Sequence, residues 1–343
     1  MLKFSFLIAT YNGAAYLKRL LDSLLQQDIP HEEYEILCLD DCSSDNSVEI
    51  VQEYSTKYPN VISLRNKVNS RMATNVNYLV SIAKGKYFWI VGQDDYIAPN
   101  CLQKLWNKLE KDHLDVLLFN FRQVSYDEQT IREPKVFRDS IVQSGSNLIH
   151  EQFDVEHYAD HLLGYEWRAV YRLQHWLDQN IRCVDGMNYE DTLIMFKAML
   201  SSNRVASISD ILYNYRVNSA SITFKNFYNR KGDYIYEFTF LVGQEEEDFL
   251  DQLKQYDLAL VPDYVREIVW RYNMFVFDVI RTNYQQKKRF YANIRQNRTF
   301  VNSKKHWMNW KSKLFVNPTI GMLLGISIGI LYRIKHLNIH VGK

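Results

Sequence analysis

The chain has 343 residues, of which 47% are apolar and 24% charged, a composition that excludes an intrinsically disordered chain and a polytopic membrane protein. Its length predicts about two domains with cores large enough to fold without disulfides. The net charge of +1 conceals an asymmetry, because Arg281 to Lys343 holds 13 basic residues and no acidic one, whereas the first 280 residues hold 28 basic and 40 acidic residues. A basic tail of this kind indicates a negatively charged partner, such as lipid head groups or nucleic acid.

The cysteines and the amino terminus indicate the compartment. The four cysteines show no metal-ligand spacing, and a disulfide framework is not expected, so this usage predicts a reducing compartment. The opening sequence MLKFSFLIATYNG has too short an apolar run for a signal peptide and predicts a first strand.

The first 120 residues alternate between short apolar runs and helical periodicity. Strands are predicted at residues 4–9, 35–39, 61–64, 87–91 and 116–121, and helices at 14–27, 44–58, 72–83 and about 99–111. This alternation predicts an α/β fold, a Rossmann-like and mostly parallel sheet flanked by helices. Residues 122–160 show no clear period, whereas helices are predicted within residues 161–224, around the segment NYED, and over most of residues 244–298.

Polar residues follow three of these strands. Thr10 to Gly13 follow the first strand, Asp40-Asp41 the second and Asp94-Asp95 the fourth. Ligands of open α/β sheets bind beyond the carboxyl ends of the strands. Adjacent carboxylates repel each other unless a cation or hydrogen-bond donors offset the repulsion, and Mg²⁺ or Mn²⁺ prefers such oxygen ligands. Turn formation and helix capping are the alternative for either pair, but two pairs at corresponding strand ends favour a binding site.

Four blocks in order, followed by a fifth, resemble the family 2 glycosyltransferases, whose nucleotide-sugar-binding domain has the GT-A fold. The blocks are FSFLIATYNGAAYLKRLLDSLLQQ, EILCLDDCSSDNS, AKGKYFWIVGQDDYIAPNCL and EWRAVYRLQHWLDQNIRCVDGMNYEDTLIMFKAML, with YNYRVNSASIT after them. The resemblance implies a GT-A domain over residues 1–224 and does not explain the rest of the chain. The residue pattern beyond it predicts a helical extension over 225–300 and a basic, apolar tail over 301–343.

The resemblance also implies roles for individual residues. Nucleotide-binding positions are Ala9, Thr10, Tyr11, Asp41, Arg71 and Asp94, and the metal positions are Asp95 and Asp94. Asp191 corresponds to the general base, and Glu190 orients the acceptor or Asp191. Arg216, Ser221 and Thr223 belong to the segment that closes over donor and acceptor. The alternative for Glu190-Asp191 is an acidic first turn of the next helix, where negative charge suits the helix dipole.

Three positions depart from the family pattern. Gly92 stands where the family usually has an aspartate, two residues before Asp94. Thr74 stands where an arginine often precedes the asparagine of the third helix, and Arg71 is the expected substitute. Asn218 lies near the point where some members have a metal-binding histidine.

The activity that the resemblance implies is inverting transfer of a sugar from a nucleoside-diphosphate sugar to a hydroxyl of a glycan or lipid-linked acceptor. The expected donor is a UDP-sugar. The implied cofactor is Mn²⁺ or Mg²⁺, and the implied setting is bacterial surface polysaccharide synthesis. A non-catalytic, membrane-associated nucleotide-sugar-binding protein is the alternative. Gly92 and Asn218 favour that alternative, whereas the intact Asp94, Asp95 and Asp191 argue against it.

The tail contains an uncharged run over residues 314–332, with Gly321, Gly325 and Gly329 spaced as in membrane helices. Nineteen helical residues would reach roughly 28 Å, close to a bilayer core, although Asn317 and Pro318 shorten the run. Flanking basic residues and tryptophans favour an anionic membrane, so we expect a cytoplasmic protein at the inner face of the plasma membrane. A packed helix is the alternative, no nucleic-acid partner is expected, and spanning versus lying in the interface stays open.

Overall fold

The computed structural model describes residues 2–134, 137–152, 165–185, 191–217, 240, 243–244, 247–251, 272–273, 275–276, 279–280, 283–324 and 326–328. The chain forms two compact units, Met1–Asn218 and Ser219–Lys343. The boundaries at residues 224 and 300 stay predictions.

The first half of the amino-terminal unit is a parallel sheet with crossover helices. It contains the strands β1 (Phe4–Thr10), β2 (Tyr34–Asp40), β3 (Val61–Arg65) and β4 (Tyr87–Ile90), and the helices α1 (Ala14–Leu25), α2 (Ser47–Lys57) and α3 (Arg71–Ile82). β1 lies between β2 and β4 and is parallel to both, and β3 is parallel to β2. Thr10 pairs with Asp40 in this register, so the polar segments after β1 and β2 begin side by side.

The second half of this unit makes the sheet mixed. It contains β5 (Tyr96–Ile97), α4 (Leu102–Lys111), β6 (Val116–Val124), β7 (Thr130–Arg132), α5 (Gly145–Gln152), β8 (Ala169–Arg172), α6 (Leu173–Asp178), α7 (Asp191–Leu200) and β9 (Val205–Arg216). The strand order is β3-β2-β1-β4-β8-β6-β9-β5, with β7 beside β6. β8 is antiparallel to β4 and β6, whereas β9 is parallel to β6. The α/β prediction is confirmed, and its parallel character holds best for β1 to β4.

The structure differs from the sequence-based expectations in where helices begin and in the strands within residues 161–224. α2 begins at Ser47 rather than at residue 44. α4 begins at Leu102 rather than near Pro99, because Asn100 adopts a left-handed φ of 52° and the chain turns before the helix starts. The expected helical character of residues 161–224 is wrong for β8, a strand of four residues, and for β9, a strand of 12 residues. Most of the first half of β9 is buried, so the alternation that marks a half-exposed strand is missing there.

The core lies on both faces of the sheet. α1 buries Leu17, Leu20, Leu21 and Leu24, which recur at helical spacing on one face. At the centre of the sheet, the Trp89 indole N–H donates to the carbonyl oxygen of Trp167 at 2.8 Å. The Trp167 ring stacks on Tyr213 with centroids 4.4 Å apart, which fixes the carboxyl-terminal half of β9 against the sheet.

In the described part of the carboxyl-terminal unit lie α8 (Tyr284–Gln296), α9 (Arg298–Ser303) and α10 (Trp310–Phe315). The expected apolar helix over residues 314–332 is interrupted, because α10 ends at Phe315 and helical structure resumes at residue 318. The Asn317 side chain caps the new helix by accepting from the N–H groups of Thr319 and Ile320. Gly321 packs against this chain itself, since a Cβ there would overlap the carbonyl oxygen of Phe315. Among the described residues, we find no helix with the length and apolar character needed to cross a bilayer.

Candidate active site

Gln93 joins the segments that follow β1 and β4. Its Oε1 accepts from the Thr10 hydroxyl at 2.7 Å and from the Tyr11 backbone N–H at 2.8 Å. Its Nε2 donates to the Tyr11 carbonyl oxygen at 3.3 Å. Thr10 is buried, Ala9 is half-buried and the Tyr11 ring is 42% exposed, so Tyr11 is the member of this predicted nucleotide-binding segment that an incoming ligand can reach.

Asp41 organises the loop that leads into α3. Its Oδ1 accepts from the Asn66 amide at 2.8 Å and the Ser70 N–H at 2.7 Å, and its Oδ2 accepts from the Arg71 N–H at 3.0 Å. The carboxylate is 3% exposed, and Arg71 adopts a left-handed φ of 68° at the first residue of α3. Asp41 therefore fixes the backbone of Arg71, which brings two predicted nucleotide-binding residues together.

Asp95 is buried, and both of its carboxylate oxygens accept hydrogen bonds from β9. Oδ2 accepts from the Tyr213 hydroxyl at 2.6 Å and Oδ1 from the Arg216 N–H at 2.7 Å. Burial, and then the charge of neighbouring Asp94, raise the pKa of Asp95 well above its usual range. Asp94 is more exposed than Asp95, so of the two predicted metal ligands it is the one placed to meet a ligand from solvent.

Gly92 permits this arrangement. Its N–H donates to the Tyr213 hydroxyl at 2.9 Å, and a Cβ at this position would lie 2.6 Å from Asp95 Oδ2. The departure at Gly92 therefore has a physical reason in this chain, since a side chain here would displace the carboxylate of Asp95 or the hydroxyl of Tyr213.

The Arg216 guanidinium is engaged with the protein. Its Nε donates to the Asp94 carbonyl oxygen at 3.0 Å and its Nη1 to the Tyr126 carbonyl oxygen at 2.8 Å. Its Nη2 lies 3.4 Å from Glu128 Oε1. Arg216, predicted to close over donor and acceptor, thus also supports the segment that carries Asp94 and Asp95.

The predicted catalytic pair is described only in part. α7 begins at Asp191, while the side chain of Asp191 and the whole of Glu190, Ser221 and Thr223 lie outside the described residues, as does Asn218. The roles expected for these residues stay predictions.

Asn77 of α3 forms hydrogen bonds to the segment that precedes the predicted catalytic pair. The Asn77 amide of α3 donates to the carbonyl oxygen of Cys183 at 2.8 Å and to Asp185 Oδ1 at 2.9 Å. Its Oδ1 accepts from the Cys183 N–H at 2.9 Å. These contacts anchor the chain to α3 six residues before Asp191.

The carboxylates of Asp94 and Asp95 suit a hard divalent cation if substrate phosphates supply its other ligands. Within the described part of the chain, no group of three or more His, Cys, Asp and Glu side chains could hold a metal ion. Mg²⁺ is, however, commonly bound by one or two carboxylates together with substrate phosphates. Asp94 beside the buried Asp95 fits that pattern, with phosphate oxygens as the remaining ligands.

The sequence assigned no role to Tyr213, Glu128 or Gln93, and it shows Gln93 only as one of the polar residues after the fourth strand. Gln93 lies between Gly92 and Asp94, and its position in the sequence gives no indication of its hydrogen bonds to Thr10 and Tyr11. Tyr213 shares a face of β9 with Tyr215 by strand alternation, and a buried tyrosine hydroxyl usually finds a hydrogen-bond partner. Glu128 lies in a turn outside every block and carried no signal.

Comparison with known proteins extends these observations. Residues 5–173 match the family model described as Glycosyl transferase family 2. Poly(ribitol-phosphate) beta-N-acetylglucosaminyltransferase TarS from Staphylococcus aureus is 28% identical over 246 residues, 66% of this chain and 39% of that protein. Poly(ribitol-phosphate) beta-glucosyltransferase from Bacillus spizizenii is 36% identical over 125 residues, 36% of this chain and 20% of that protein. The chain thus spans well under half the length of these two relatives.

Solved structures show the same fold. The crystal structure of S. aureus TarS 1–349 in complex with UDP-GlcNAc matches with a TM-score of 0.56 and 21% identity, covering 90% of this chain and 93% of that one. This similarity confirms the predicted GT-A type α/β fold. The family model over residues 5–173 and the two glycosyltransferase relatives support the predicted resemblance of this chain to the family 2 glycosyltransferases.

Proposed function

We propose that this protein is an inverting glycosyltransferase that moves a sugar from a nucleoside diphosphate, UDP foremost, to a hydroxyl of a surface glycan or its lipid-linked precursor. The observation that carries the proposal is the carboxylate edge, by which we mean Asp41, Asp94 and Asp95 after the ends of β2 and β4. Asp41 orders the loop at Arg71, and β9 holds Asp95 beside Asp94. The names of the two poly(ribitol-phosphate) glycosyltransferases support a cell-surface polymer as the acceptor class.

Each residue of the edge has a stated task in this proposal. Tyr11 and the loop fixed by Asp41 bind the nucleoside, and Asp94, with Asp95 behind it, would hold a divalent cation against the diphosphate. When bound, that cation neutralises negative charge on the departing diphosphate. Asp191 accepts the proton of the acceptor hydroxyl while the new bond to the anomeric carbon forms opposite the leaving group. A positioned general base contributes on the order of 10²–10⁴ in rate.

The test of the base assignment is the variant Asp191→Asn, assayed for release of UDP from UDP-sugars in the presence of acceptor. We expect turnover to fall by about 10³ while the dissociation constant for UDP changes little. Asp178→Asn is the matched control, because Asp178 is an acid of α6 whose side chain accepts from Gln174 at 2.8 Å. Near-normal turnover of the Asp191 variant would contradict the assignment.

Metal removal separates the enzyme from the non-catalytic alternative. We expect EDTA to abolish UDP release and Mn²⁺ or Mg²⁺ to restore it. A protein that binds UDP-sugars and gains thermal stability from them, yet never releases UDP with any acceptor, would support the non-catalytic binding protein instead.

We also propose that the carboxyl-terminal unit binds an anionic membrane surface. Among the residues of this unit that the structure describes, six basic ones are exposed, namely Lys288, Arg289, Arg295, Arg298, Lys311 and Lys313. Lys304 is buried and lies 3.1 Å from Glu247 Oε2, so it serves the fold. The exposed apolar side chains include Trp310 at 67% and Leu323 at 63%. Basic and apolar groups together suit attachment to the interface of an anionic bilayer without spanning it.

Sedimentation with vesicles tests this partner. We expect the protein to sediment with phosphatidylglycerol vesicles at low salt and much less with phosphatidylcholine vesicles, because the attraction is partly electrostatic. Leu323→Asp should weaken binding about tenfold, whereas Ile141→Asp should not, although Ile141 is 79% exposed in the other unit. Equal binding to both lipids, or equal effects of the two variants, would contradict the proposal.

A further inference from the structure

Glu128 bridges two arginines that come from separate elements. It lies in the turn between β6 and β7, and Arg19 of α1 donates to it through two nitrogens, Nε to Oε1 at 2.8 Å and Nη2 to Oε2 at 3.2 Å. Arg216 at the end of β9 approaches the same Oε1 at 3.4 Å. The two guanidinium contacts lower the pKa of Glu128, the hydrogen bond from Arg19 first, so the bridging group is a carboxylate.

The backbone of this turn does not explain why a glutamate is present. Glu128 has a left-handed φ of 63°, a conformation that glycine or asparagine adopts at lower cost. The turn itself closes through backbone groups, because the Glu128 N–H donates to the Ser125 carbonyl oxygen at 3.1 Å and the Ser125 N–H donates to Gln129 at 2.9 Å. The side-chain contacts are therefore what the glutamate adds.

Arg216 carries the influence of Glu128 to the proposed ligand-binding segment. Its guanidinium donates to the Asp94 carbonyl oxygen, and its backbone N–H donates to Asp95 Oδ1. Both arginines also contact the Tyr96 ring, Arg19 at 3.9 Å and Arg216 at 5.6 Å from the centroid. Two cations share one ring, and Glu128 supplies the carboxylate that lies against both.

We propose that Glu128 is a positioning residue for the segment Asp94-Asp95, acting through Arg216. Without the carboxylate, the two guanidiniums repel each other, Arg216 shifts and its hydrogen bond to the Asp94 carbonyl oxygen loosens. The inference rests on the proposed function, because Asp94 is the residue assigned there to the divalent cation.

Three variants at one position separate positioning from simple stability. Glu128→Gln removes the charge, Glu128→Asp keeps it, and Glu128→Gly removes the side chain while relieving the left-handed backbone. We expect the Mn²⁺ concentration for half-maximal UDP release to rise about tenfold in the Gln and Gly variants and to return toward the wild-type value in the Asp variant. The melting temperature of the Gly variant should stay near that of the wild type, because the relieved backbone offsets the lost ion pairs.

A second readout makes the test independent of activity. Mn²⁺ binding to the UDP-saturated protein is titrated directly by the loss of the free Mn²⁺ EPR signal, and the same tenfold weakening is expected. Asp210→Asn is the matched control, because it removes an ion pair between β9 and Lys104 of α4 and should leave Mn²⁺ binding unchanged.

The outcomes distinguish this inference from the proposed function. Wild-type protein that binds Mn²⁺ with UDP but transfers no sugar would overturn the proposed function, and the EPR titration would still test Glu128. Unchanged Mn²⁺ binding in the Gln and Gly variants would overturn the inference, whatever their melting temperatures. A shift of equal size in Asp210→Asn, or no Mn²⁺ binding by the wild type, would overturn it as well.

Discussion

Removing one hydroxyl, by Tyr213→Phe, tests whether β9 holds the carboxylate edge together. The phenol donates to Asp95 Oδ2 at 2.6 Å and accepts from the Gly92 N–H at 2.9 Å. The ring would stay in place, because its stack on Trp167 does not involve the hydroxyl. The variant therefore removes two hydrogen bonds at almost constant packing.

The expected loss of folding stability follows from the burial of Tyr213 and Asp95. Leaving a buried polar group without its hydrogen-bond partner costs about 1–3 kcal/mol, and losing the bond from the Gly92 N–H costs about 1 kcal/mol more. Asp95 is 3% exposed, so water cannot replace the lost donor without rearrangement. We expect the free energy of unfolding to fall by about 3 kcal/mol, which corresponds to a decrease in melting temperature of roughly 6–12 °C for a unit of this size.

The assay is urea unfolding followed by circular dichroism, with Tyr171→Phe as the control. Tyr171 is equally buried, and its hydroxyl contacts weak or neutral acceptors, the Glu166 carbonyl oxygen at 2.7 Å and the Met195 Sδ at 2.6 Å, so its loss should cost about 1 kcal/mol. We also expect UDP affinity to fall in Tyr213→Phe but not in Tyr171→Phe. Equal stability losses in the two variants would refute the special role given to the bond between Tyr213 and Asp95.

Three further predictions concern other positions. Gly92→Ala places a methyl group 2.6 Å from Asp95 Oδ2, so we expect a stability loss of about 1–3 kcal/mol and at least tenfold slower UDP release, and unchanged kinetics would contradict this. Asp41→Asn puts an amide where the Arg71 N–H now finds an acceptor, and calorimetry should show about tenfold weaker UDP binding. Burial lowers the pKa of His175, so the unfolded chain binds more protons and stability should fall as the pH drops below about 6.5; His175→Gln should flatten the urea midpoint between pH 5 and 7.

The sequence predicted the amino-terminal half of the fold well because its signals are local. β1, β2 and β4 are short apolar runs, and α1 places its leucines on one face, so each element could be recognised without knowledge of its neighbours. β9 could not be recognised in this way. Its pairing with β6 contains register shifts around Asn120, and its burial is decided by strands that lie far away in the sequence.

In the candidate site, the carboxylates could be predicted from the sequence, but their hydrogen-bond partners could not. The carboxylates could be found because each follows a predicted strand, where ligands of α/β sheets bind. Their partners could not, because Asp41 bonds to residues 29 and 30 positions later and Asp95 to residues 118 and 121 positions later. Glu128 is the extreme case, since its contacts to Arg19 and Arg216 span 109 and 88 positions.

The segment from Gly92 to Asp95 is held by hydrogen bonds to two neighbouring parts of the protein, the residues after β1 and the end of β9. Gln93 ties it to Tyr11 after β1, and Tyr213 and Arg216 tie it to β9. These bonds form when the chain folds, so a ligand that binds here does not have to order the segment, and the entropic cost of binding is lower. Loosening any of these bonds should therefore reduce folding stability and ligand affinity together, whereas a change confined to the exposed ring of Tyr11 should alter affinity alone.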